Sequence, residues 1–158
     1  MSPTYQELLD VYRATPQTLR ALVQGVDDER ARERPDEDSW SIVEVVAHLA
    51  DAEDNAHARV RRMLAEDNPA FEGYDEQEWA RARNYRAMKL GDVLRRFEEQ
   101  RAAQIGTLEQ LDGDAWERPA RHNQLGAITV SSITAHMTVH DAIHLAQIAR
   151  MRLDEPGA

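Results

Sequence analysis

The chain contains no cysteine. That single absence excludes disulfides, thiolate metal ligands and a cysteine nucleophile together. Aromatic residues are also scarce, at 6%, so Leu, Val, Ile, Ala and Met must fill most of any core. No continuous apolar run occurs in the first 22 residues. Neither a signal peptide nor a membrane span is therefore expected, and the expected location is the cytoplasm. An excess of positive charge is missing too: the formal net charge is -10. Such a surface repels phosphate backbones and anionic lipids, so neither nucleic acid nor a membrane is expected as a partner. No stretch shows the period-two alternation of a half-buried strand, and there are no repeats or low-complexity tracts. A Gly-rich phosphate loop and a readable Ser-His-Asp arrangement are both lacking.

What remains is helical periodicity. At 158 residues, the chain reads as one domain spanning residues 1–158. Tyr5, Leu8, Tyr12, Leu19, Leu22 and Val23 mark a first helix. It is expected to start near Thr4, whose spacing to Glu7 suits a capping box, and to kink or break at Pro16. The charged run at residues 27–38 reads as a loop. Ser41 and Glu44 form a second capping-box pair, opening a helix whose stripe is Ile42, Val45, Val46, Leu49, Ala56, Val60 and Met63. Asn68-Pro69 stops it. Asp75 and Glu78 cap a short helix carrying Trp79. Val93, Leu94, Phe97, Ile105, Leu108 and Leu111 mark a third long helix. Residues 116–126 should be extended. Thr129 is the expected N-cap of a fourth, with Ile133, Met137, Leu145, Ile148 and Met151 on its apolar face and a frayed tail at residues 154–158. The expected fold is all-α: a four-helix bundle with a short extra helix between helices two and three. That insert argues against a plain up-down-up-down order.

Six histidines need explaining. His136, His140 and His144 follow one another at four-residue steps, so they share one helix face. His140 and His144 lie in the apolar stripe, where buried imidazoles cost free energy unless each finds a partner. A metal ion supplies one, and a helical His-x-x-x-His pair can hold it. His48 flanks the apolar face of helix two and is the candidate third ligand from a facing helix. The expected metal site is thus His48, His140 and His144. Three neutral imidazoles leave a coordination position open, as in catalytic rather than closed structural sites. Zinc, nickel, copper and ferrous iron all suit imidazole, and donor type does not choose among them; the expected ion is zinc or nickel, with iron as a further option. The bland alternative is a set of core histidines without metal.

Other residues carry alternatives. His136 could be a fourth ligand, a partner of the bound rings, a cap on the core's edge or, in an enzyme, a catalytic group that moves protons. Asp141 could orient a metal-bound ring, or be a solvated acid. Glu53 occupies the apolar side of helix two. It reads either as a general base or as the ion-pair partner of an arginine such as Arg101. His57 and His122 read as surface residues, and Trp40 as a core or staple residue.

At this point the residues resemble a known family. Ser39-Trp40-Ser41-Ile42-Val43-Glu44 leading into His48-Leu49-Ala50-Asp51-Ala52-Glu53 resembles the first signature of the DinB-like superfamily. Residues 126–147, with His136, His140, His144, Leu145 and Gln147, resemble the last. The resemblance covers almost the whole chain. It implies a bundle with a three-histidine metal site at His48, His140 and His144, and often a homodimer. Some members of the family transfer bacillithiol sulfur, and relatives include mycothiol-dependent maleylpyruvate isomerases. The implied function is a metal-dependent thiol S-transferase acting on a small molecule, its reactive sulfur coming from a low-molecular-weight thiol co-substrate. The competing reading is a non-catalytic metal- or ligand-binding module acting in stress. For a dimer interface, an apolar outer face on helix two or three is expected.

Overall fold

The structure is a computed structural model and describes residues 1 and 3–155. Four long helices dominate it: α1 (Pro3–Leu22), α3 (Ile42–Ala65), α5 (Leu90–Leu108) and α7 (Val130–Leu153). Short helices α2 (Asp28–Ala31), α4 (Glu76–Ala82) and α6 (Gly113–Trp116) sit in the links, with a 3-10 turn at Tyr85–Ala87. The four-helix bundle and the inserted short helix are as expected. Asp75 caps α4 by accepting from the Gln77 and Glu78 amides. At the start of α3, the Glu44 carboxylate accepts from the Ser41 amide at 3.2 Å and hydroxyl at 3.0 Å, and takes a bidentate pair from Arg34.

Several local expectations are corrected. Strands β1 (Ala70–Phe71), β2 (Pro119–His122) and β3 (Gly126–Thr129) form a small sheet, β1 parallel and β3 antiparallel to β2. They span two to four residues each, too short for an alternation to register in the sequence. Residues 27–38 are not all loop, because the Asp27 side chain caps α2 through the Arg30 amide. Helix α1 starts at Pro3, which places Thr4 inside the helix and removes it from the cap. It also runs unbroken through Pro16. Proline deprives the Tyr12 carbonyl of its usual helical donor, and Arg101 Nη1 donates to that carbonyl instead, at 3.2 Å. The part of the expected frayed tail at residues 156–158 lies outside the described residues.

Helix α3 packs on α5 and α7, and α1 packs on the same two, so α1 and α3 sit on one diagonal. The core has two clusters. One holds the later part of α1 (Leu19), the early parts of α3 and α5 (Ile42, Val46, Leu49; Val93, Phe97) and the end of α7 (Ile148, Met151). The other holds Tyr12, Val60, Met63, Leu108, Trp116, Ile133 and Met137. It follows that α3 and α5 run in the same direction, opposite to α1 and α7. The link from α3 to α5 must therefore return the length of the bundle. It does so through β1, α4 and the 3-10 turn.

Between the two clusters lies a polar layer. Arg101 of α5 is wholly buried. Its Nη2 donates to Glu53 Oε2 of α3 at 2.9 Å and to Asp141 Oδ2 of α7 at 2.8 Å. With the Tyr12 carbonyl, one side chain thus ties all four long helices. The Tyr12 ring also packs on its guanidinium, 4.0 Å away. Burial opposes the charge on Arg101, but Glu53 and Asp141 outweigh it and hold its pKa above the ordinary value. Burial raises the pKa of both acids, with Arg101 pulling the other way.

No helix of the described residues is long and apolar enough to cross a membrane. Exposed large apolar side chains include Val11, Leu125, Val139 and Ile143, and among the described residues none lies on α3 or α5. The outward apolar face belongs to α7 instead.

Removing one member of a buried ion cluster strands the others without compensation. Arg101→Met should cost about 3–5 kcal/mol, lowering the melting temperature by on the order of 10 °C for a chain of this size. Arg101→Met combined with Glu53→Leu and Asp141→Leu should recover much of the loss in urea or thermal unfolding. Equal stability of Arg101→Met and the wild type would show that the layer does not hold the bundle.

Candidate metal centre

His48 sits in the second turn of α3, inside an unbroken buried stretch from Ser41 to Glu53. His140 and His144 sit one turn apart on α7, antiparallel to α3 and packed against it. The capped starts of both helices fix their registers. Thr129 Oγ1 accepts from the Ser132 amide at 3.1 Å, opening α7 as the sequence predicts. The three imidazoles meet, with ring centroids 4.9 Å apart for His48 and His140, 4.8 Å for His48 and His144, and 4.6 Å for His140 and His144. One ligand atom from each lies within 4.8 Å of the other two.

His48 is buried, and the two α7 rings are half-buried. Burial, then the neighbouring imidazoles, push the His48 pKa down to about 3. Burial, His144, His136 and Arg101 push His140 down to about 4. Both rings are neutral at pH 7 and keep a lone pair for a metal. Gln147 Oε1 lies 2.9 Å from His144 Nδ1. An amide oxygen only accepts, so that nitrogen carries the hydrogen and Nε2 carries the lone pair. The Nε2 atoms of His48 and His140 are 2.9 Å apart. Two nitrogens on one tetrahedral zinc, at about 2.0–2.1 Å each, stand roughly 3.3 Å apart, so a shift of a few tenths of an ångström would bring this pair to ligand spacing. The Nδ1 atoms of His48 and His140 are buried without a hydrogen-bond partner, a cost that an ion held by the Nε2 atoms would leave in place. The donor set fits a divalent ion.

Trp40 is buried and packs over the cluster, 5.0 Å from the His48 ring and 6.4 Å from His144. It shields one side. On α4, Glu76 Oε2 stands 3.5 Å from His48 Nε2 and is about half exposed. No sequence signal marked it, because helical spacing cannot relate residues 28 positions apart on separate helices. Asp51, one turn after His48, is buried. It accepts from Arg83 Nη1 at 2.6 Å, and from Tyr85 and Arg96. Burial alone would raise its pKa, but Tyr85, Arg96 and Arg83 hold it below the ordinary value.

The remaining sequence candidates lie elsewhere. Glu53 and Asp141 both bind Arg101, so Glu53 takes the ion-pair alternative and Asp141 is buried rather than solvated. His136 is exposed and lines a cavity of about 300 Å³ that also reaches His140. His57 bonds the Thr107 hydroxyl at 3.0 Å and is half-buried. His122 is buried, which corrects its reading as a surface residue. Its Nδ1 accepts from the Gln124 and Leu125 amides, both at 3.1 Å, a role the β2–β3 turn creates and polar sequence neighbours conceal.

The DinB superfamily model matches residues 12–148. A Geobacillus thermodenitrificans protein named "Putative metal-dependent hydrolase" is 32% identical over 150 residues, covering 93% of this chain and 83% of that one. The solved structure of Bacillus subtilis YfiT, described as a four-helix bundle of unusual topology, superposes with a TM-score of 0.87 at 23% identity, over 96% of this chain and 87% of that one. A mycothiol-dependent maleylpyruvate isomerase superposes with a TM-score of 0.75 at 14% identity, over 94% and 63% of the two chains. These two likenesses are of fold.

The depressed histidine pKa values predict the pH profile of metal-free protein. The unfolded chain binds protons at these histidines below about pH 6.5, and the folded chain does not until about pH 3–4. Stability should therefore fall as pH drops from about 6.5 towards 4, and the slope should shrink in His48→Gln and His140→Gln. Urea denaturation across that range reads it. An unchanged slope in both variants would show that these rings are not the titrating groups.

Proposed function

Because this chain belongs to the DinB superfamily, we propose that it is a metal-dependent enzyme that transfers a low-molecular-weight thiol onto a small electrophilic substrate. One observation carries the reading: three imidazoles converge, and one of them, His140, borders a cavity of about 300 Å³. A divalent ion held by His48, His140 and His144, which we take to be zinc or nickel, would supply Lewis-acid activation of a thiol. The protein's own groups do the rest. Glu76 Oε2 stands at the open side, half in water, and can accept the thiol proton. Trp40, buried against the His48 and His144 rings, covers part of the cluster. The Gln147 amide holds the His144 ring in one tautomer. With no cysteine in the chain, the sulfur must come from a small thiol, and the fold shared with a mycothiol-dependent enzyme supports that source.

A second reading is hydrolysis, with water in place of the thiol, and the names of the sequence relatives favour it. The expected setting for either reaction is the cytoplasm. We place the expected homodimer contact on the outward face of α7, where Val139 and Ile143 are exposed.

The test is conjugation of mycothiol, bacillithiol or glutathione to monochlorobimane by zinc- or nickel-loaded protein. Glu76→Gln should slow the reaction by about 10²-fold or more, the usual worth of a positioned general base. It should do so without loss of bound metal. Turnover of ester substrates without thiol conjugation would select hydrolysis. Neither activity, with metal bound, would leave the non-catalytic module.

A further inference from the structure

The cavity beside His140 is not a simple apolar cleft. One wall is made by Ala52, Ala56, Ile133 and Met137, with the exposed Leu125 side chain at the β2–β3 turn. Polar groups line the same space, and two of them stand out. Arg59 of α3 is half-buried, and among the described residues it forms no ion pair within 4.0 Å. Its Nη2 donates to the Glu72 carbonyl at 2.6 Å, which aims the guanidinium and leaves further N–H groups free. The Phe71 ring, 5.6 Å from the guanidinium carbon, offsets part of the desolvation, but a partly buried cation without a counter-charge remains costly. In a chain of net charge -10, acidic partners are abundant, yet none pairs with Arg59, although Glu76 lines the same cavity. The second group is His122, 6% exposed. Its Nδ1 accepts two backbone amides, so the ring is neutral with its hydrogen on Nε2, and that hydrogen has no use in holding the turn.

We propose that this cavity is the substrate subsite of the metal centre, and that it selects small molecules carrying one carboxylate on an apolar body. Arg59 pairs with the carboxylate, the His122 Nε2–H donates to it, and the Ile133–Met137–Leu125 wall covers the apolar part. A guanidinium fork takes a carboxylate or a phosphate bidentately, so charge must choose between them. Glu76 also lines the cavity, and with the acidic surface it disfavours more highly charged ions. At about 300 Å³ the space stands at the lower end for small-molecule sites. Its border on His140 puts a bound molecule next to the histidine cluster. The inference rests on the cluster being a reaction centre and names the substrate class for it.

Benzoate and its neutral counterpart benzamide are the probes, titrated into full-length protein and followed by NMR. The titrations use chelator-treated and zinc-loaded samples, so that direct carboxylate–metal contact is separated from the subsite. Benzoate should bind both forms, and benzamide should bind at least about tenfold more weakly, the scale of a lost charge-assisted pair. Arg59→Gln should weaken benzoate by a similar factor. Arg61→Gln, which removes the same charge from an exposed position on the same helix, should change it less than about twofold. Equal affinity for benzoate and benzamide in the wild type would overturn the proposal, with no variant needed. So would benzoate binding only with zinc present, or inorganic phosphate competing as well as benzoate. If the chain binds no metal but still prefers benzoate, the reaction-centre reading fails and the subsite stands. If metal binds and the two probes do not differ, the reverse holds.

Discussion

One buried arginine organises the bundle. Arg101 takes carboxylates from α3 and α7 and a carbonyl from α1, and it splits the core into two apolar halves. Buried ion clusters add little net stability over well-packed apolar residues. Their effect lies in register. A one-turn slip of α3, α5 or α7 would strand a buried charge, so the α3–α7 register is held where it brings His48 level with His140 and His144. Asp141 directly follows His140, which makes the link between the polar layer and the histidine cluster a single peptide. The Pro16 position in α1 belongs to the same arrangement, since it frees the carbonyl that Arg101 uses.

The helix directions explain why the site has an open side. Helices α3 and α5 run the same way, so the link between them must travel back along the bundle. That return path carries Tyr74, Glu76 and Tyr85 past the early turns of α3. Glu76 thereby reaches the histidines, and Tyr85 joins Arg83 and Arg96 on Asp51 beneath them. A plain up-down bundle has short links at its ends and would bring none of these groups to the cluster.

Much of this was legible in the sequence, and the rest had physical reasons for being hidden. Four long apolar stripes, the Ser41–Glu44 and Asp75 caps and Thr129 before the last helix all reported local interactions, which spacing reveals. Two histidines at a four-residue step in an apolar stripe signalled an unusual core, and the pairing of Glu53 with Arg101 was open as an alternative. Hidden were the interactions made across long separations. Glu76 meets His48 only because of the return path. His122 looks polar and exposed by its neighbours but is buried by a tight turn. The strands are too short to carry a period. Proline at position 16 predicted a disruption, yet a side chain from another helix replaced the missing hydrogen bond, and no local rule contains that partner.

The account stands on the histidines as metal ligands rather than as polar residues tolerated in a core. Elemental analysis of the purified protein, beside the variant combining His48→Ala, His140→Ala and His144→Ala, tests this most directly. The account predicts one divalent ion per chain in the parent, retained through desalting, and none in a variant that still folds. A parent chain that takes up neither zinc nor nickel on incubation, or a variant that binds as much as the parent, would contradict it.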